Sequence, residues 1–198
     1  MASGTYSHAE GQSSMSLGDY SHAEGQSTRS IGDYSHAEGQ SSEARGDASH
    51  SEGQGAVALG DLSHAEGQST SALGFGSHAE GLLSIASGTY SHAEGVLNLA
   101  AGDTSFVLGS SNVTTTENSS ILSGHDITGT YKDTAHVDLL NIHRLSSGTS
   151  VANLGIDSRG MIVTGTSGGG GSSILGVLVQ EDGVTLGTGT TLNFAGLS

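Results

Sequence analysis

The chain has 198 residues, of which 33% are hydrophobic, 4% are aromatic and 33 are glycine, and it contains no cysteine and no tryptophan. Such a composition argues against a conventional globular core, and the lack of cysteine excludes disulfides, thiolate chemistry and cysteine-ligated zinc. Five Lys and Arg residues against 20 Asp and Glu residues give a formal net charge of −15, so no basic surface is available for nucleic acid or anionic lipid.

The N-terminal region repeats itself at two periods. The pentapeptide SHAEG occurs seven times at a spacing of 14 residues, once as SHSEG, and glycine recurs every seven residues from Gly4 to Gly109. The pentapeptides begin at Ser7, Ser21, Ser35, Ser49, Ser63, Ser77 and Ser91. Low apolar content and high net charge are typical of disorder, but a strict repeat indicates units that stack and need little core apiece. We therefore predict a folded repeat protein rather than a flexible Ser/Gly-rich linker.

The seven-residue period predicts strands rather than a coiled coil, because the fixed heptad residue is glycine, which breaks helices. Five alternating residues followed by a two-residue turn opened by glycine make one strand and one corner, and two such units make a 14-residue coil. Up to Gly102, the residue two places before each repeat glycine is Ala or Ser, and the residue four places before it is mostly Ser or Thr. These small residues share one strand face, which fits the inside of a thin, flattened β-roll.

The two outward faces of the coil differ. On the second strand the outward positions vary, and because they accept Arg29, Glu43 and Arg45 alike, we predict that this face points to solvent. On the first strand they are always His and Glu until Phe106 and Leu108 take their places. Large apolar residues there indicate a buried face, which a thin roll can cover only with another copy of the chain. The predicted trimer-interface ladder comprises His8, Glu10, His22, Glu24, His36, Glu38, His50, Glu52, His64, Glu66, His78, Glu80, His92, Glu94, Phe106 and Leu108.

The succession GxxSHAEGxxTxAxG over about residues 4–124 resembles the SVAIG-type repeats of YadA-like heads in trimeric autotransporter adhesins, and is more closely similar to the SHAEG repeats of phage tail and head fibres. The resemblance implies an all-β fold, a left-handed parallel β-roll (β-solenoid) wound as a homotrimer. His and Glu stand where the adhesin heads have Val and Ile, so the hydrophobic interface of those heads is not carried over. No signal sequence, stalk or membrane anchor is recognisable, which favours the phage fibre.

A polar zipper is the predicted role of the ladder. Glu carboxylates on coils about 4.8 Å apart would repel one another, and neighbouring His side chains could donate hydrogen bonds to them or carry a balancing charge. A His beside a carboxylate is expected to have a raised pKa, and the Glu a lowered one. Together these shifts predict maximal stability in mildly acidic solution.

Other roles of the histidines fit the pattern less well. Three His residues around a trimer axis could bind a metal, but each repeat His has its own Glu, which favours a structural role. No copy differs from the others as an active site would, and the calcium-binding repeat G-G-x-G-x-D is absent. An ice-binding surface needs a flat Thr ladder, which Arg29, Glu43 and Arg45 interrupt. We therefore predict no catalytic residue, no metal site and no cofactor.

Beyond Gly109 the repeat loses its phase, since Thr116 occupies the expected glycine position and Gly124 comes one residue late. One or two irregular coils are predicted to close the roll, which would then span residues 1–124 in about eight coils. Its apolar caps are predicted to be Phe106, Leu108, Ile121 and Leu122.

The C-terminal part is predicted to hold short strands. Within residues 125–166, the segments AHVDLLNIHRL, VANLGI and GMIVTG each predict a strand, the last two joined by the turn DSRG. Residues 167–173, SGGGGSS, form a flexible linker. Residues 174–198 predict two or three strands around Asp182-Gly183, and because about 25 residues hold no core alone, this segment is the candidate docking element. The histidines without repeat partners, expected to be surface or interface residues, are His125, His136 and His143.

These features predict a structural function. We expect a non-catalytic homotrimeric fibre or spike component on the tail or capsid exterior of a phage virion. It would contact other virion proteins through residues 174–198 and a host receptor that is a glycan or a protein. One alternative is the head of a bacterial cell-surface adhesin. Another, from a different class, is a fragment of a tail protein with a processing or lytic enzyme role, although no nucleophile with a placed base is visible.

Overall fold

The computed structural model describes residues 1–137 and, further along the chain, the strands of residues 153–156, 162–165, 177–181 and 184–189. The elements in these residues are all β-strands, and none of the described residues forms a helix that could cross a membrane. The strands of the N-terminal unit are β1 (His8–Gln12), β2 (Met15–Ser16), β3 (His22–Gln26), β4 (Arg29–Ser30), β5 (His36–Gln40), β6 (Glu43–Ala44), β7 (His50–Gln54), β8 (Val57–Ala58), β9 (His64–Gln68), β10 (Ser71–Ala72), β11 (His78–Leu82), β12 (Ile85–Ala86), β13 (His92–Val96), β14 (Leu99–Ala100), β15 (Phe106–Ser110), β16 (Val113–Thr114), β17 (Ser120–His125), β18 (Thr128–Gly129) and β19 (Ala135–His136).

These strands wind into a parallel β-solenoid. The odd-numbered strands form a ten-stranded sheet and the even-numbered strands a nine-stranded sheet, each in sequence order. Residues 14 apart pair with each other, as His22 does with His36. This confirms the all-β roll of 14-residue coils. The parallel pairing continues through β18 and β19, so the stack is longer than about eight coils, because pairing persists after the SHAEG pattern has ended.

The two strands of a coil are unequal, which differs from the prediction of two five-residue strands. In a typical coil, β3 has five residues and β4 only two. Gly25 lies inside β3 at a φ of 114°, and a Cβ there would lie 2.1 Å from the carbonyl oxygen of Gly39 in the next coil. The corners come at Ser27 and Tyr34, whose φ values are 60° and 58°. The glycine of the first strand is therefore required by its positive φ and by the close approach of the next coil, and it does not form the corner.

Small side chains fill the interior, as their alternation predicts. Ala23, Thr28 and Ser30 have no exposed surface. Buried hydroxyls find partners nearby, since Ser21 Oγ donates to the carbonyl oxygen of Gly18 at 2.6 Å. Each coil thus needs neither large apolar residues nor a thick core, which explains how a chain with so few aromatic residues folds.

Larger side chains enter the interior towards the C-terminal end of the roll. Val107 and Ile121 are fully buried. The predicted capping role is wrong for Phe106, Leu108 and Leu122, because these side chains lie on the outward faces of their strands. Parallel pairing also continues beyond Ile121 to β19, so none of the four residues ends the roll. Asn98 and Asn112, which the repeat pattern did not single out, replace inward Ser and Thr and are buried.

The loss of phase after Gly109 corresponds to a β-bulge. The pairing of β15 with β17 shifts between Leu108 and Ser110, and Ser110 pairs with His125, 15 residues later. The bulged residues Ser123 and Gly124 have φ values of 144° and 146°. One inserted residue is therefore absorbed locally, and the stack continues beyond it.

The C-terminal unit, residues 142–198, contributes two antiparallel strand pairs. One pair joins β20 (Asn153–Ile156) to β21 (Ile162–Gly165), and the other joins β22 (Val177–Glu181) to β23 (Val184–Gly189). These pairs confirm the strands predicted in VANLGI and GMIVTG and those on either side of Asp182-Gly183. The AHVDLLNIHRL strand after residue 137, the SGGGGSS linker and His143 lie outside the described residues.

Candidate interface: the histidine–glutamate ladder

Strand alternation places the predicted ladder on the outward face of the ten-stranded sheet. In β5, Ala37 is fully buried, whereas His36 and Glu38 point away from the interior. In-register parallel pairing from β1 to β13 then sets identical side chains above one another in every coil. Phe106 and Leu108 continue the two columns on β15 and are half-buried. The structure therefore brings all the predicted ladder residues together on one surface.

From His22 onwards the imidazole rings form a continuous stack, whereas the ring of His8 meets that of His22 edge-on. Neighbouring ring centroids from His22 to His92 lie 4.7–4.9 Å apart, and the rings of His36 and His50 are within 3° of parallel. The ring of Phe106 follows 4.7 Å from that of His92. This spacing is close to the distance of about 4.8 Å between paired strands. The sheet register thus sets the ring stacking.

Each ladder His faces the Glu of its own strand. The distance from His Nε2 to Glu Oε2 is 3.5–4.0 Å in the seven repeats, and the His8–Glu10 pair, at 3.5 Å, has hydrogen-bond geometry. From His22 to His92, the His side chains are 28–39% exposed and the Glu side chains 43–50%. The Nε2 atoms of these six histidines are buried and make no hydrogen bond within residues 1–137, although a Glu oxygen lies 3.5–4.0 Å away.

The histidine pKa shifts are opposite in direction to the prediction. Burial lowers the pKa of His50 from its ordinary value of 6.5, and the neighbouring imidazoles of His64 and His36 lower it further, against the opposing effect of Glu52. The pKa of His78 is lowered for the same reasons. The expected rise is wrong at these two positions, because the carboxylates that oppose it, Glu52 and Glu38 at His50 and Glu66 and Glu94 at His78, are nearly half solvent-exposed and compensate too little.

The outward face of the nine-stranded sheet carries an ion-pair network. The Glu43 carboxylate lies 2.5 Å from Arg29 Nη1 in the preceding coil and 2.7 Å from Arg45 Nη2. The two Arg side chains are 41% and 47% exposed, but the Glu43 side chain is only 13% exposed. A hydrogen bond and the charge of Glu43 raise the pKa of Arg45. The predicted solvent-facing surface is therefore correct for both guanidinium groups and wrong for Glu43, which they cover.

The remaining predicted positions do not join the ladder. His125 pairs with Asp126 at 3.0 Å on the exposed surface, and His136 Nε2 lies 3.0 Å from Thr134 Oγ1. Within residues 1–137, no three His, Asp or Glu side chains are grouped as they would be around a metal ion. The ladder offers a repeated polar surface, in which each of the seven coils from β1 to β13 presents one imidazole ring and one carboxylate.

Comparison with known proteins links this geometry to a family. Residues 51–77 match two copies of the YadA head domain repeat, and no curated protein matches the chain. The matched residues run from within β7 to just before β11, and the other coils share their register. The chain therefore contains YadA-type head repeats, which are a structural element of adhesin heads.

Proposed function

We propose that this chain is the head of a homotrimeric surface fibre, a non-catalytic structural protein that presents an attachment surface to a host. In the proposed trimer, the ten-stranded sheets of three chains face one another across the axis, and the ladder from His8 to Leu108 forms the interface. The observation that carries the proposal is the in-register column of partly exposed His and Glu side chains on one outward face, which the half-buried Phe106 and Leu108 extend.

Such a column is costly for a single chain. Neighbouring Glu carboxylates about 4.8 Å apart repel one another by roughly 1 kcal/mol per pair where water screens them. From Glu24 to Glu94 these side chains are 43–50% exposed, so a second chain can reach them. Donors of that chain can form hydrogen bonds with the carboxylates and reduce their repulsion, and its apolar side chains can cover Phe106 and Leu108.

Two carriers of this head, a phage particle and a bacterial cell, are considered. The likeness of the SHAEG repeats to those of phage tail and head fibres supports an attachment fibre on the exterior of a phage particle. The YadA head domain repeat at residues 51–77 supports a bacterial cell-surface adhesin equally well. In either setting, residues 174–198 dock the head to neighbouring proteins, and the receptor is a glycan or a protein of the host surface.

The oligomeric state tests the trimer directly. We expect size-exclusion chromatography with light scattering to give three chain masses at micromolar concentration. The ladder variant Glu38→Lys/Glu66→Lys should dissociate, while the matched control Ser71→Lys/Leu73→Lys, on the outward face of the nine-stranded sheet, should remain trimeric. Circular dichroism checks that both variants fold. A monomeric parent would overturn the proposal, and dissociation of the control alone would put the other sheet at the axis.

Immunogold electron microscopy separates the two carriers. An antibody against residues 1–124 should label either the tail or capsid exterior of phage particles or the surface of bacterial cells. Label on neither surface would contradict an attachment role, whatever the oligomeric state.

A further inference from the structure

One corner of the roll, where the chain turns from the nine-stranded to the ten-stranded sheet, carries two exposed columns of side chains that the ladder does not use. One column is acidic over four successive coils, and the other is aromatic over three. The acidic column consists of Asp19, Asp33, Asp47 and Asp61, and the aromatic column consists of Tyr6, Tyr20 and Tyr34.

The aromatic column ends abruptly. The ring centroids of Tyr6 and Tyr20 are 5.2 Å apart and those of Tyr20 and Tyr34 are 5.1 Å apart, the latter pair within 2° of parallel. The next two coils have Ala48 and Leu62 at the same left-handed corner position. The exposed fraction rises from 52% at Tyr20 to 66% at Tyr34, because the second face of Tyr34 meets no ring. An open slot one coil high therefore lies between Tyr34 and Leu62, with Ala48 at its back.

A second small corner residue leaves no such slot. A Cβ on Gly76 would lie 2.7 Å from a ring carbon of Tyr90, so the tyrosine of the following coil leans over this glycine. Its ring also packs edge-on against Phe75, with centroids 5.4 Å apart. The chain thus fills the gap at Gly76 with its own side chain and leaves the gap at Ala48 open.

Carboxylates surround the open slot. Asp47 directly precedes Ala48, and Asp33 and Asp61 hold the same position on the adjacent coils. The backbone engages one oxygen of each, because the N–H groups of Asp19, Asp33 and Asp47 donate to the Oδ1 atom of the Asp in the next coil at 2.8, 3.0 and 2.9 Å. These hydrogen bonds fix the carboxylates at the corner.

No cation of the described chain neutralises these carboxylates. The Lys and Arg residues within residues 1–137 are Arg29 and Arg45, which pair with Glu43, and Lys132, which pairs with Glu117. The acidic column therefore has no internal counter-ion in this part of the chain, and the formal net charge of −15 adds a long-range field that attracts basic partners.

We propose that this slot binds an arginine side chain of a partner polypeptide. A guanidinium plane lying one coil above Tyr34 is about 5 Å from its ring centroid, within the roughly 6 Å range of cation–π attraction. The fork of N–H donors can then reach the Asp47 carboxylate beside it. Lysine lacks the planar stacking and the fork, and a neutral ring gains nothing from the three carboxylates. One chain forms the slot alone, so the inference does not rest on the proposed trimer.

The test titrates the full chain with N-acetyl-hexa-arginine amide at 0.15 M salt, with hexa-lysine and hexa-citrulline peptides in parallel. Tyrosine ring signals in NMR spectra report the site, and calorimetry reports affinity. We expect saturable arginine binding that shifts the Tyr34 ring signals, roughly tenfold weaker lysine binding and no citrulline binding. Equal affinity for the lysine peptide, or no saturable arginine binding, would overturn the proposal.

Variants separate the slot from a general acidic surface. Ala48→Tyr lengthens the ring column at a backbone position that already accepts tyrosine in four coils, so it should fold and bind roughly tenfold more weakly because the slot is filled. Tyr34→Ala and Asp47→Asn should also weaken binding. Tyr6→Ala, at the far end of the same column, is the matched control and should leave affinity unchanged. Unchanged affinity in Ala48→Tyr, or an equal loss in Tyr6→Ala, would refute the slot.

Discussion

The two sheets of the roll share one interior but differ on their outward faces. In the ten-stranded sheet, five residues of each typical coil pair in register, and the outward His and Glu repeat through seven coils. In the nine-stranded sheet only two residues of each coil pair, and the outward side chains range from Glu43 to Val57 and Ile85. Because both sheets keep the same register, the interior is sufficient to specify the roll. The uniformity of the His–Glu ladder therefore needs a separate cause, which the proposed interface supplies.

A change in the shared interior should have the largest effect. In Gly32→Ala, the new Cβ would lie 2.1 Å from the carbonyl oxygen of Gly46, a clash that the backbone can relieve only by parting two coils. We expect the free energy of unfolding to fall by at least about 3 kcal/mol in urea denaturation.

The matched control for this change is Gly55→Ser. A Cβ at Gly55 would meet only Ser69 Oγ, at 3.6 Å, and the equivalent left-handed corner position is already Ser41 or Ser69 in the adjacent coils. Its effect should stay below about 1 kcal/mol. Equal losses at the two glycines would show that the close approach of coils does not govern stability.

In the nine-stranded sheet, removing the charge of Glu43 alone should lower the free energy of unfolding more than removing all three charges of the ion-pair network. Glu43→Gln leaves Arg29 and Arg45 without their shared carboxylate, and we expect a cost of about 1–2 kcal/mol, limited by the exposure of both guanidinium groups. The triple variant Arg29→Ser/Glu43→Ser/Arg45→Ser removes the charges together and should cost well under about 1 kcal/mol. Urea denaturation measures the loss in both variants, and a larger loss of free energy of unfolding in the triple variant would contradict this prediction.

The free energy of unfolding should fall on mild acidification, because the ladder histidines His50 and His78 have a lowered pKa in the folded chain. Above about pH 6.5, histidines are neutral in both the folded and the unfolded chain. Because the folded pKa of His50 and His78 is lowered, the unfolded chain takes up protons first. The stability present above about 6.5 is then lost as the pH falls through the folded pKa. For this pair the loss should be below about 1 kcal/mol, since the side chains are 38% and 36% exposed and partly screened.

Thermal melts between pH 5 and 8 measure this loss, with His50→Gln/His78→Gln as the comparison. The variant should show a shallower decline than the parent on the acidic side. A parent that is most stable near pH 6 and weakens towards neutrality would restore the raised histidine pKa expected from the sequence.

The smallest effect is expected at the exposed glutamine residues that end the strands of the ten-stranded sheet. Gln40 Nε2 donates to Gln26 Oε1 at 3.2 Å and accepts at Oε1 from Gln54 Nε2 at 3.1 Å. Because water can replace both hydrogen bonds, Gln40→Ser should change the free energy of unfolding by less than about 0.5 kcal/mol in urea denaturation. A larger loss of stability would mean that contacts between equivalent side chains of neighbouring coils explain the uniform repeat of the ten-stranded sheet.

The register and the interior of the roll were predictable, because residues 14 apart are adjacent in a coil of that length and the small inward residues are visible in the sequence. The unequal strands were not, since Gly25 and Gly32 occupy the same place in the heptad but have different backbone conformations. The buried Glu43 depends on how two Arg side chains fold over it. The lowered pKa of His50 depends on a balance of burial, ring stacking and a half-exposed carboxylate, which spacing alone does not determine.

The unbroken pairing from β1 to β15 also bears on how the gene can change. Removing or duplicating any 14 residues within this stretch joins a strand to its equivalent, so the new junction has the same neighbours as the old one. Both ends of the roll, including the bulge in β17, are left intact. Recombination between the repeated coding segments therefore lengthens or shortens the molecule by whole coils of about 4.8 Å. Length can thus evolve in discrete steps, without a new packing arrangement at any step.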